Sequence, residues 1–164
     1  MVQISKQLLG KTEIELSRLG FGGAPIGDLF EKVPQNQANA TLQAAWKAGI
    51  RYFDTSPFYG YGKSEQRLGY FLREKPRDEF VISTKVGRVF KAARNLKTFD
   101  PGGWVGGLPF NFYFDYSYDG IMRSWEDSLT RMGLNSVDLL LIHDLDSFFH
   151  DSEERFSAYL KQLI

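Results

Sequence analysis

Four side chains that can take part in acid–base chemistry stand at or just beyond segments that resemble buried strands. They are Asp54, Tyr59, Lys85 and His143. An ammonium beside a tyrosine hydroxyl stabilises the phenolate, which makes the tyrosine a usable proton donor near neutral pH. A carboxylate keeps the lysine charged and in place, and a neutral histidine can donate a hydrogen bond to a carbonyl oxygen. Such a set suits proton delivery to an alkoxide while a hydride arrives from a cofactor.

The segment 53–62 carries two of these residues in one turn, with the sequence Phe-Asp-Thr-Ser-Pro-Phe-Tyr-Gly-Tyr-Gly. Pro57 stiffens the approach, and Gly60 and Gly62 supply backbone freedom. A loop built this way can hold Tyr59 over the open end of a strand, where α/β enzymes place their chemistry. An ordinary aromatic β-to-α turn would fit the segment equally well. The prediction of a site therefore depends on the other two residues lying at the same edge.

The elements that must position these residues are predicted from hydrophobic periodicity, caps and glycine stops. They are a hairpin within 1–16; strands over 17–24, 50–55, 80–85 and 137–143; and helices over 36–48, from Ser64 to before Pro76, from Ser117 or Asp119 to Gly133, and from a capping box at 151–154 to 163. Four β/α units in succession predict a parallel sheet whose strand ends share one side. The apolar run 137–143 predicts a strand that is covered on both faces.

The segment 88–117 shows no regular period and is rich in glycine and aromatic residues, among them Trp104. A connection of this length greatly exceeds the usual ~2–6 residues of a β-to-α loop. We interpret it as an aromatic flap over a pocket, because so many aromatic side chains are unfavourable in water without a use. A mobile insertion without a role is the alternative.

The composition limits the classes of function. The 164 residues are 43% hydrophobic and 24% charged, which predicts a single globular domain over 1–164. Twenty basic and twenty acidic residues cancel, so nothing favours nucleic acid or an anionic membrane as a partner. There is no cysteine and no apolar run near the ~20 residues of a membrane span, so we expect a cytoplasmic protein.

Two other kinds of site were considered. A metal site could use His143, Asp144, Asp146 and His150. The first two would point to opposite sides while they remain in a strand, which disfavours this interpretation, and we expect no metal. A serine hydrolase is disfavoured because the sequence has no G-x-S-x-G elbow.

Several separate motifs resemble the aldo-keto reductases in order and spacing. They are Phe-Asp-Thr-Ser-Pro-Phe-Tyr-Gly at 53–60, Ser-Thr-Lys-Val-Gly at 83–87, Leu-Ile-His-Asp at 141–144, Ser-Arg-Leu-Gly-Phe-Gly-Gly at 17–23, and the helix with Ser124, Ser128 and Leu129. The resemblance covers essentially the whole chain. Within the family the segments 114–120 and 142–144 are most similar to the L-fucose and D-threo-aldose dehydrogenases and pyridoxal 4-dehydrogenase.

The resemblance implies a parallel (β/α)8 TIM-type barrel, an α/β fold with an N-terminal hairpin plugging its bottom. It implies a catalytic tetrad of Asp54, Tyr59, Lys85 and His143, with Tyr59 as general acid in reduction and as base in oxidation. The implied cofactor is NADP or NAD, with Gly22, Gly23 and Asp54 near the nicotinamide. Trp104 would lie over a small carbonyl or sugar substrate.

The length departs from this family, because a complete barrel typically needs ~250 residues or more and only four of eight units are present. We therefore expect this chain to lack the half that would bind the rest of the cofactor. A four-stranded half-barrel has two unpaired sheet edges, so we expect it to associate with itself, to meet a second chain, to twist into an open two-layer fold or to remain marginally stable. The alternative to an enzyme is therefore a truncated, non-catalytic half-barrel that works by association, a relic of a disrupted gene, or a fragment of a longer enzyme.

Overall fold

A computed structural model of the protein describes residues 4–150 and 152–163. The strands are β1 (Lys6–Leu8), β2 (Glu15–Ser17), β3 (Gly20–Gly22), β4 (Tyr52–Asp54), β5 (Val81–Val86), β6 (Arg88–Ala92), β7 (Phe110–Phe114) and β8 (Leu139–Ile142). The helices are α1 (Gln35–Lys47), α2 (Lys63–Leu72), α3 (Tyr118–Met132) and α4 (Glu153–Leu160). Short 3-10 helices lie at Pro25–Gly27, Arg77–Glu79 and Lys161–Leu163.

The predicted hairpin is formed by β1 and β2, which pair antiparallel. The chain turns between them at Gly10, whose φ of +56° is the left-handed conformation that glycine adopts without strain. The hydroxyl of Ser17 accepts hydrogen bonds from the backbone N–H groups of Arg51 and Tyr52. This contact ties the hairpin to the start of β4. The predicted hairpin region 1–16 also includes residues 1–3, which lie outside the described part of the chain.

The central sheet is parallel, as predicted, with the strand order β3-β4-β5-β8. Its register aligns Gly22 with Asp54 and Asp54 with Ser83. Lys85 lies opposite Leu141 on the neighbouring strand. Because all four strands run the same way, the residues at their C-terminal ends collect at one edge of the sheet.

The core lies between this sheet and the helices that follow its strands. Leu42, Phe53, Leu68 and Ile82 have no exposed surface, and each such side chain contributes about 1.5–3 kcal/mol through burial. Gly69 of α2 packs against the backbone of α3, where a Cβ atom would overlap Met132. The apolar residues that recur with helical spacing in the sequence therefore form the interface between the helices and the sheet.

The start of α2 differs from the prediction. Ser64 was expected to cap this helix, but the N-cap is Gly62, with a φ of +96°. Ser64 lies in the first turn, where its hydroxyl donates to the carbonyl of Gly23 and contacts the hydroxyl of Thr55. The buried Ser64 thus joins α2 to the end of β3. It was predicted to be the N-cap because serine is common at that position.

The caps of the later helices follow the prediction more closely. Ser117, and not Asp119, caps α3, because its hydroxyl accepts from the N–H of Gly120. Gly133 ends that helix with a φ of +63°. Ser152 caps α4 by accepting from the N–H of Arg155. Residue 151 of the predicted capping box lies outside the described residues.

The prediction that 88–117 contains no regular element is wrong. Strands β6 and β7 pair antiparallel over five residues each, and only the stretch between them is irregular. In β7, the half-buried Phe110, Phe112 and Phe114 alternate with exposed Asn111 and Tyr113. The alternation is present in the sequence, but an aromatic residue on the exposed face hides it.

The prediction that both faces of β8 are covered is also wrong. Leu140, Leu141 and Ile142 are 42%, 43% and 47% exposed. Strand β8 is at the edge of the sheet, so one side of its backbone and much of its apolar surface have no partner within the described residues. None of the described helices combines the length and the apolar character needed to cross a membrane.

Candidate active site

Asp54 and Lys85 form an ion pair at the C-terminal ends of β4 and β5. The Nζ atom of Lys85 lies 2.7 Å from Oδ2 of Asp54 and also donates to the carbonyl of Thr55 at 2.9 Å. The other carboxylate oxygen, Oδ1, accepts from the hydroxyl of Ser83 at 2.6 Å. Lys85 and Ser83 are two residues apart on one strand, so they point to the same face and reach the same carboxylate.

Tyr59 is held next to this pair by a tight turn. Gly60 has a φ of +67°, and a Cβ atom there would overlap the carbonyl of Gly27. The N–H of Tyr59 donates to Ser56, and its carbonyl accepts from the N–H of Ser64. The Nζ atom of Lys85 therefore lies 4.6 Å from the centre of the Tyr59 ring. At this distance the ammonium lies within the range of a cation–π contact with the ring.

His143 completes the group that the sequence predicts. It follows β8, and its N–H donates to the carbonyl of Val86 at 3.0 Å. The centre of its ring is 6.1 Å from that of Tyr59, and the two rings are nearly perpendicular, at 87°. The structure thus brings all four predicted residues of the tetrad to one edge of the sheet.

The protonation of His143 is fixed by its surroundings. Burial, supported by the positive charges of Arg88 and Lys85, lowers its pKa to about 4, against the opposing effect of Asp144 and Asp54. The ring is therefore neutral near pH 7. The hydroxyl of Ser56 lies 3.0 Å from Nδ1 and accepts a hydrogen bond from the N–H of Phe58. We therefore assign the Ser56 hydroxyl as the donor and Nδ1 as the acceptor. The ring proton then resides on Nε2, which lies 3.4 Å from Oδ2 of Asp144.

A buried tyrosine supports His143 from behind. The hydroxyl of Tyr116 donates to the backbone carbonyl of His143 at 2.7 Å and contacts Nε2 of His150 at 3.1 Å. Tyr116 has no exposed surface, and burial raises its pKa. Its ring fills the space beside Gly87, where any Cβ atom would collide with it. Sequence reasoning missed this residue because its position in an aromatic run gives no sign of its partner.

Asp144 lies on the same side as His143, contrary to the expectation from strand alternation. Its φ of +51° turns the chain out of the strand, and its Oδ2 atom is 3.4 Å from Nε2 of His143. Oδ2 also forms an ion pair with Arg88. His150 instead packs in the aromatic cluster of Tyr116, with its ring centre 4.7 Å from that of Tyr159. Within 4–150 and 152–163 no group of three or more histidine, aspartate or glutamate side chains is arranged to hold a metal ion.

The irregular stretch between β6 and β7 reaches Tyr59 through Trp104. The centre of the Trp104 ring is 5.4 Å from that of Tyr59, and the Trp104 side chain is buried. The stretch is anchored by Asp28, whose carbonyl accepts from the N–H of Val105 and whose carboxylate pairs with Lys63. Lys63 also donates to the carbonyl of Gly106. The predicted substrate-loop residue thus lies against the predicted proton donor.

The two glycines predicted near a cofactor differ in their surroundings. A Cβ atom on Gly22, the sheet neighbour of Asp54, would meet nothing within 4 Å, so the space beside Gly22 is open. A Cβ atom on Gly23 would approach Ser64 Oγ to 2.6 Å and the Asp54 carbonyl to 2.8 Å. Gly23 therefore permits α2 to pack against the sheet, while Gly22 borders open space.

Comparison with known proteins settles the family. The model of the aldo/keto reductase family matches residues 18–164. The chain belongs to the aldo/keto reductase family. It is 46% identical over 159 residues to a pyridoxal 4-dehydrogenase from Microbacterium luteolum, which covers 92% of this chain and 46% of that relative. It is 43% identical over 137 residues to a D-threo-aldose 1-dehydrogenase from a Pseudomonas species, covering 80% of this chain and 41% of the relative.

The fold agrees with this assignment. The structure of a glycerol dehydrogenase from Gluconobacter oxydans matches 96% of this chain and 45% of that chain, with a TM-score of 0.63 and 28% identity. The four β/α units are therefore part of a TIM-type barrel, as the resemblance implied, and the similarity to the aldose and pyridoxal dehydrogenases is confirmed. The chain spans less than half the length of these relatives.

Proposed function

We propose that this chain is the part of an NADP- or NAD-dependent oxidoreductase that carries its acid–base groups. The reaction interconverts an aldehyde or ketone with its alcohol, or a sugar- or pyridoxal-type substrate with its lactone. One observation carries the proposal. The ammonium of Lys85 lies both 2.7 Å from the Asp54 carboxylate and 4.6 Å from the Tyr59 ring centre, and the His143 ring centre is 6.1 Å from that of Tyr59.

The residues divide the work as follows. The Nε2–H of neutral His143 and the hydroxyl of Tyr59 hold the carbonyl oxygen of the substrate. As negative charge develops on that oxygen, Tyr59 gives it a proton and becomes a phenolate. The ammonium of Lys85 stabilises the phenolate, and Asp54 keeps the ammonium charged and aimed. In the oxidative direction Tyr59 takes the proton back from the alcohol.

The cofactor supplies or accepts the hydride when it is bound. The residues of this chain fit its nicotinamide end, because the open space beside Gly22 adjoins Asp54 and the end of β4. Gly22 and Asp54 would border the nicotinamide, and Gly23 would support them from within the fold. Trp104 would exclude water from the substrate side, since its ring already packs beside Tyr59.

The proposed substrate class is a small carbonyl compound or sugar. The proposal takes in the whole of 1–164 as one domain. Two relatives named for dehydrogenation of pyridoxal and of D-threo-aldoses support this class. The direct test follows oxidation of NADH and of NADPH by the intact protein in the presence of sugar and pyridoxal aldehydes. Substrate-dependent turnover with either nucleotide is expected. The absence of turnover with both nucleotides and every aldehyde would refute the proposal.

A second candidate is a non-catalytic half-barrel that acts by association. The observation that favours it is the edge strand β8, whose three apolar side chains are more than 40% exposed. Molar mass in solution, measured with and without a millimolar nucleotide titration, separates the two. A self-associated protein that binds no nucleotide supports the association role, and a nucleotide-binding protein supports the enzyme.

A further inference from the structure

Asp144 has an unusual backbone conformation at the edge of the candidate site. Its φ of +51° is adopted by only a few per cent of residues other than glycine. The conformation ends the alternation of β8 and turns the carboxylate toward His143, with Oδ2 3.4 Å from Nε2. A side chain that would otherwise leave the site is therefore directed into it.

A buried arginine holds this carboxylate in place. Arg88 is 2% exposed, and its guanidinium carbon lies 4.1 Å, 4.5 Å and 4.6 Å from the ring centres of Phe58, Phe112 and Phe114. Its terminal nitrogen pairs with Oδ2 of Asp144. Among the described residues, its Nε atom is buried without a hydrogen-bond partner. An arginine enclosed by rings on several sides has little freedom to move, so the position of Asp144 is fixed as well.

One oxygen of Asp144 remains available. Oδ2 faces both Arg88 and His143, whereas no hydrogen bond within 4–150 and 152–163 uses Oδ1. The side chain is 21% exposed, so it is open to a small molecule. The edge of the site therefore presents a donor, Nε2–H of His143, and a carboxylate acceptor close beside it.

A ligand that matches this pair carries an acceptor oxygen and a hydroxyl group on neighbouring carbons. A 2-hydroxyaldehyde, the simplest form of an aldose, has this arrangement, because its hydroxyl lies about one hydrogen-bond length from the carbonyl oxygen. We propose that Asp144, positioned by Arg88, accepts a hydrogen bond from the hydroxyl on the carbon next to the reacting carbonyl and so selects 2-hydroxy carbonyl substrates. This inference rests on the proposed function.

The selection works by penalty as well as by attraction. A substrate without the hydroxyl would cover the carboxylate and leave its Oδ1 atom without a partner, which a site built for hydrogen bonding disfavours strongly. We expect a preference of about tenfold or more in kcat/KM for the hydroxylated compound. Asp144 would be a specificity residue that contacts substrate, and Arg88 a positioning residue.

The test compares glyceraldehyde with propanal in the intact protein, with Asp144→Asn as the variant. The preference for glyceraldehyde should fall to about threefold or less in the variant, because the loss in kcat/KM falls mainly on the aldehyde that carries the hydroxyl group. The matched control is Asp127→Asn, an exposed carboxylate on α3, which should keep the full preference. An equal loss with both aldehydes would overturn the inference, because it would show that Asp144 only orients His143. An absence of preference in the unaltered protein would overturn it as well.

A binding experiment separates failure of the inference from failure of the proposed function. Glycerol and propan-1-ol, the alcohols related to the two aldehydes, are titrated into the unaltered protein while the NMR signals of His143 and Asp144 are followed. Shifts with glycerol and none with propan-1-ol support recognition of the vicinal hydroxyl, even if no aldehyde is turned over. Equal shifts with both alcohols, or none with either, contradict it, and this result does not depend on whether the variant folds.

Discussion

Two aspartate–lysine pairs in this chain have similar contacts and different surroundings. The pair Asp54–Lys85 is 2.7 Å apart and Asp28–Lys63 is 2.8 Å apart. The Asp28 side chain is 3% exposed and also contacts Arg67 at 2.8 Å, whereas the Asp54 side chain is 26% exposed and has one cationic partner. A saturated, buried cluster suits a role in holding the fold. A partly open pair with an ammonium near a tyrosine suits chemistry.

The charge state of Asp28 fits its structural role. Burial alone would raise its pKa, but hydrogen bonds from Lys63, the Val33 N–H and Arg67 together with the charge of Arg67 prevail, and the pKa is lowered. Arg67 also donates to the carbonyls of Ile26 and Val33. The cluster thus joins α2 to the loop after β3 and, through Lys63, to the Trp104 stretch.

Replacement of the lysine in each pair by methionine should give the largest difference in kcat. Lys85→Met should lower kcat for carbonyl reduction by about 10²–10⁴, because the phenolate of Tyr59 loses its positive neighbour. Lys63→Met is the matched control and should change kcat much less while lowering the denaturation midpoint more. Steady-state kinetics and urea unfolding of both variants measure the contrast, and equal kinetic losses would remove the distinction between the pairs.

Removal of the buried carboxylate should give the largest change in stability. Asp28→Ala should lower the free energy of unfolding by about 3–5 kcal/mol, because Arg67 and Lys63 are left without their charged partner. Asp54→Ala, at the more exposed pair, should lower it by no more than about 1.5 kcal/mol. Urea denaturation gives both values. A larger loss for Asp54 would reverse the structural and chemical roles assigned to the pairs.

The pH dependence of stability should separate the two regions. His143 has a folded pKa of about 4 against an ordinary 6.5, so the unfolded chain binds the proton first. Its contribution is present above pH 6.5 and is lost, by a few kcal/mol, as the pH falls toward 4. Asp28 has a lowered pKa, so its contribution is present above the ordinary value of 3.8 and is lost only below it.

Unfolding free energies of the wild type and of His143→Asn between pH 7 and pH 4 test this separation. The variant should lose less stability over that interval. A parallel decline of both proteins would show that His143 is not the group that titrates.

The smallest effect on stability is expected at Gly22, one of the two glycines beside the active-site pair. Gly22→Ala should change the free energy of unfolding by less than about 0.5 kcal/mol, because the new methyl group faces open space. It should weaken nucleotide binding, since the same methyl group would occupy the nicotinamide space. Gly23→Ala should lower stability by about 1–3 kcal/mol through overlap with Ser64. Thermal unfolding and nucleotide titration of both variants check this, and reversed effects would contradict the open space at Gly22.

The sequence predicted the site best where polar side chains lie at the C-terminal ends of strands. Asp54, Lys85 and His143 were predicted to share an edge because parallel strands align their C-terminal ends, and the structure places them there. The Asp28 cluster was missed because its partners are 35 and 39 residues away and share no period with it. The contact of Asp144 with His143 was missed because a positive φ overrides strand alternation, and an aspartate in the sequence indicates such a conformation only weakly.

The edge strand shows a second limit. An apolar run such as 137–143 indicates that a strand is suited to burial, but not whether neighbours on both sides are present. In this chain β8 pairs with β5 alone within the described residues, so its side chains remain exposed. Local pattern predicts the element, and only the arrangement of the sheet decides its burial.

The most direct test of the central claim is the effect of Tyr59→Phe in the intact protein. Removal of one hydroxyl should lower kcat/KM for carbonyl reduction by about 10²–10⁴, because the variant lacks the hydroxyl beside Lys85 that gives the proton. The dissociation constant for the nucleotide should remain within about twofold of that of the unaltered protein. Full turnover by this variant would contradict the assignment of Tyr59 as the proton donor.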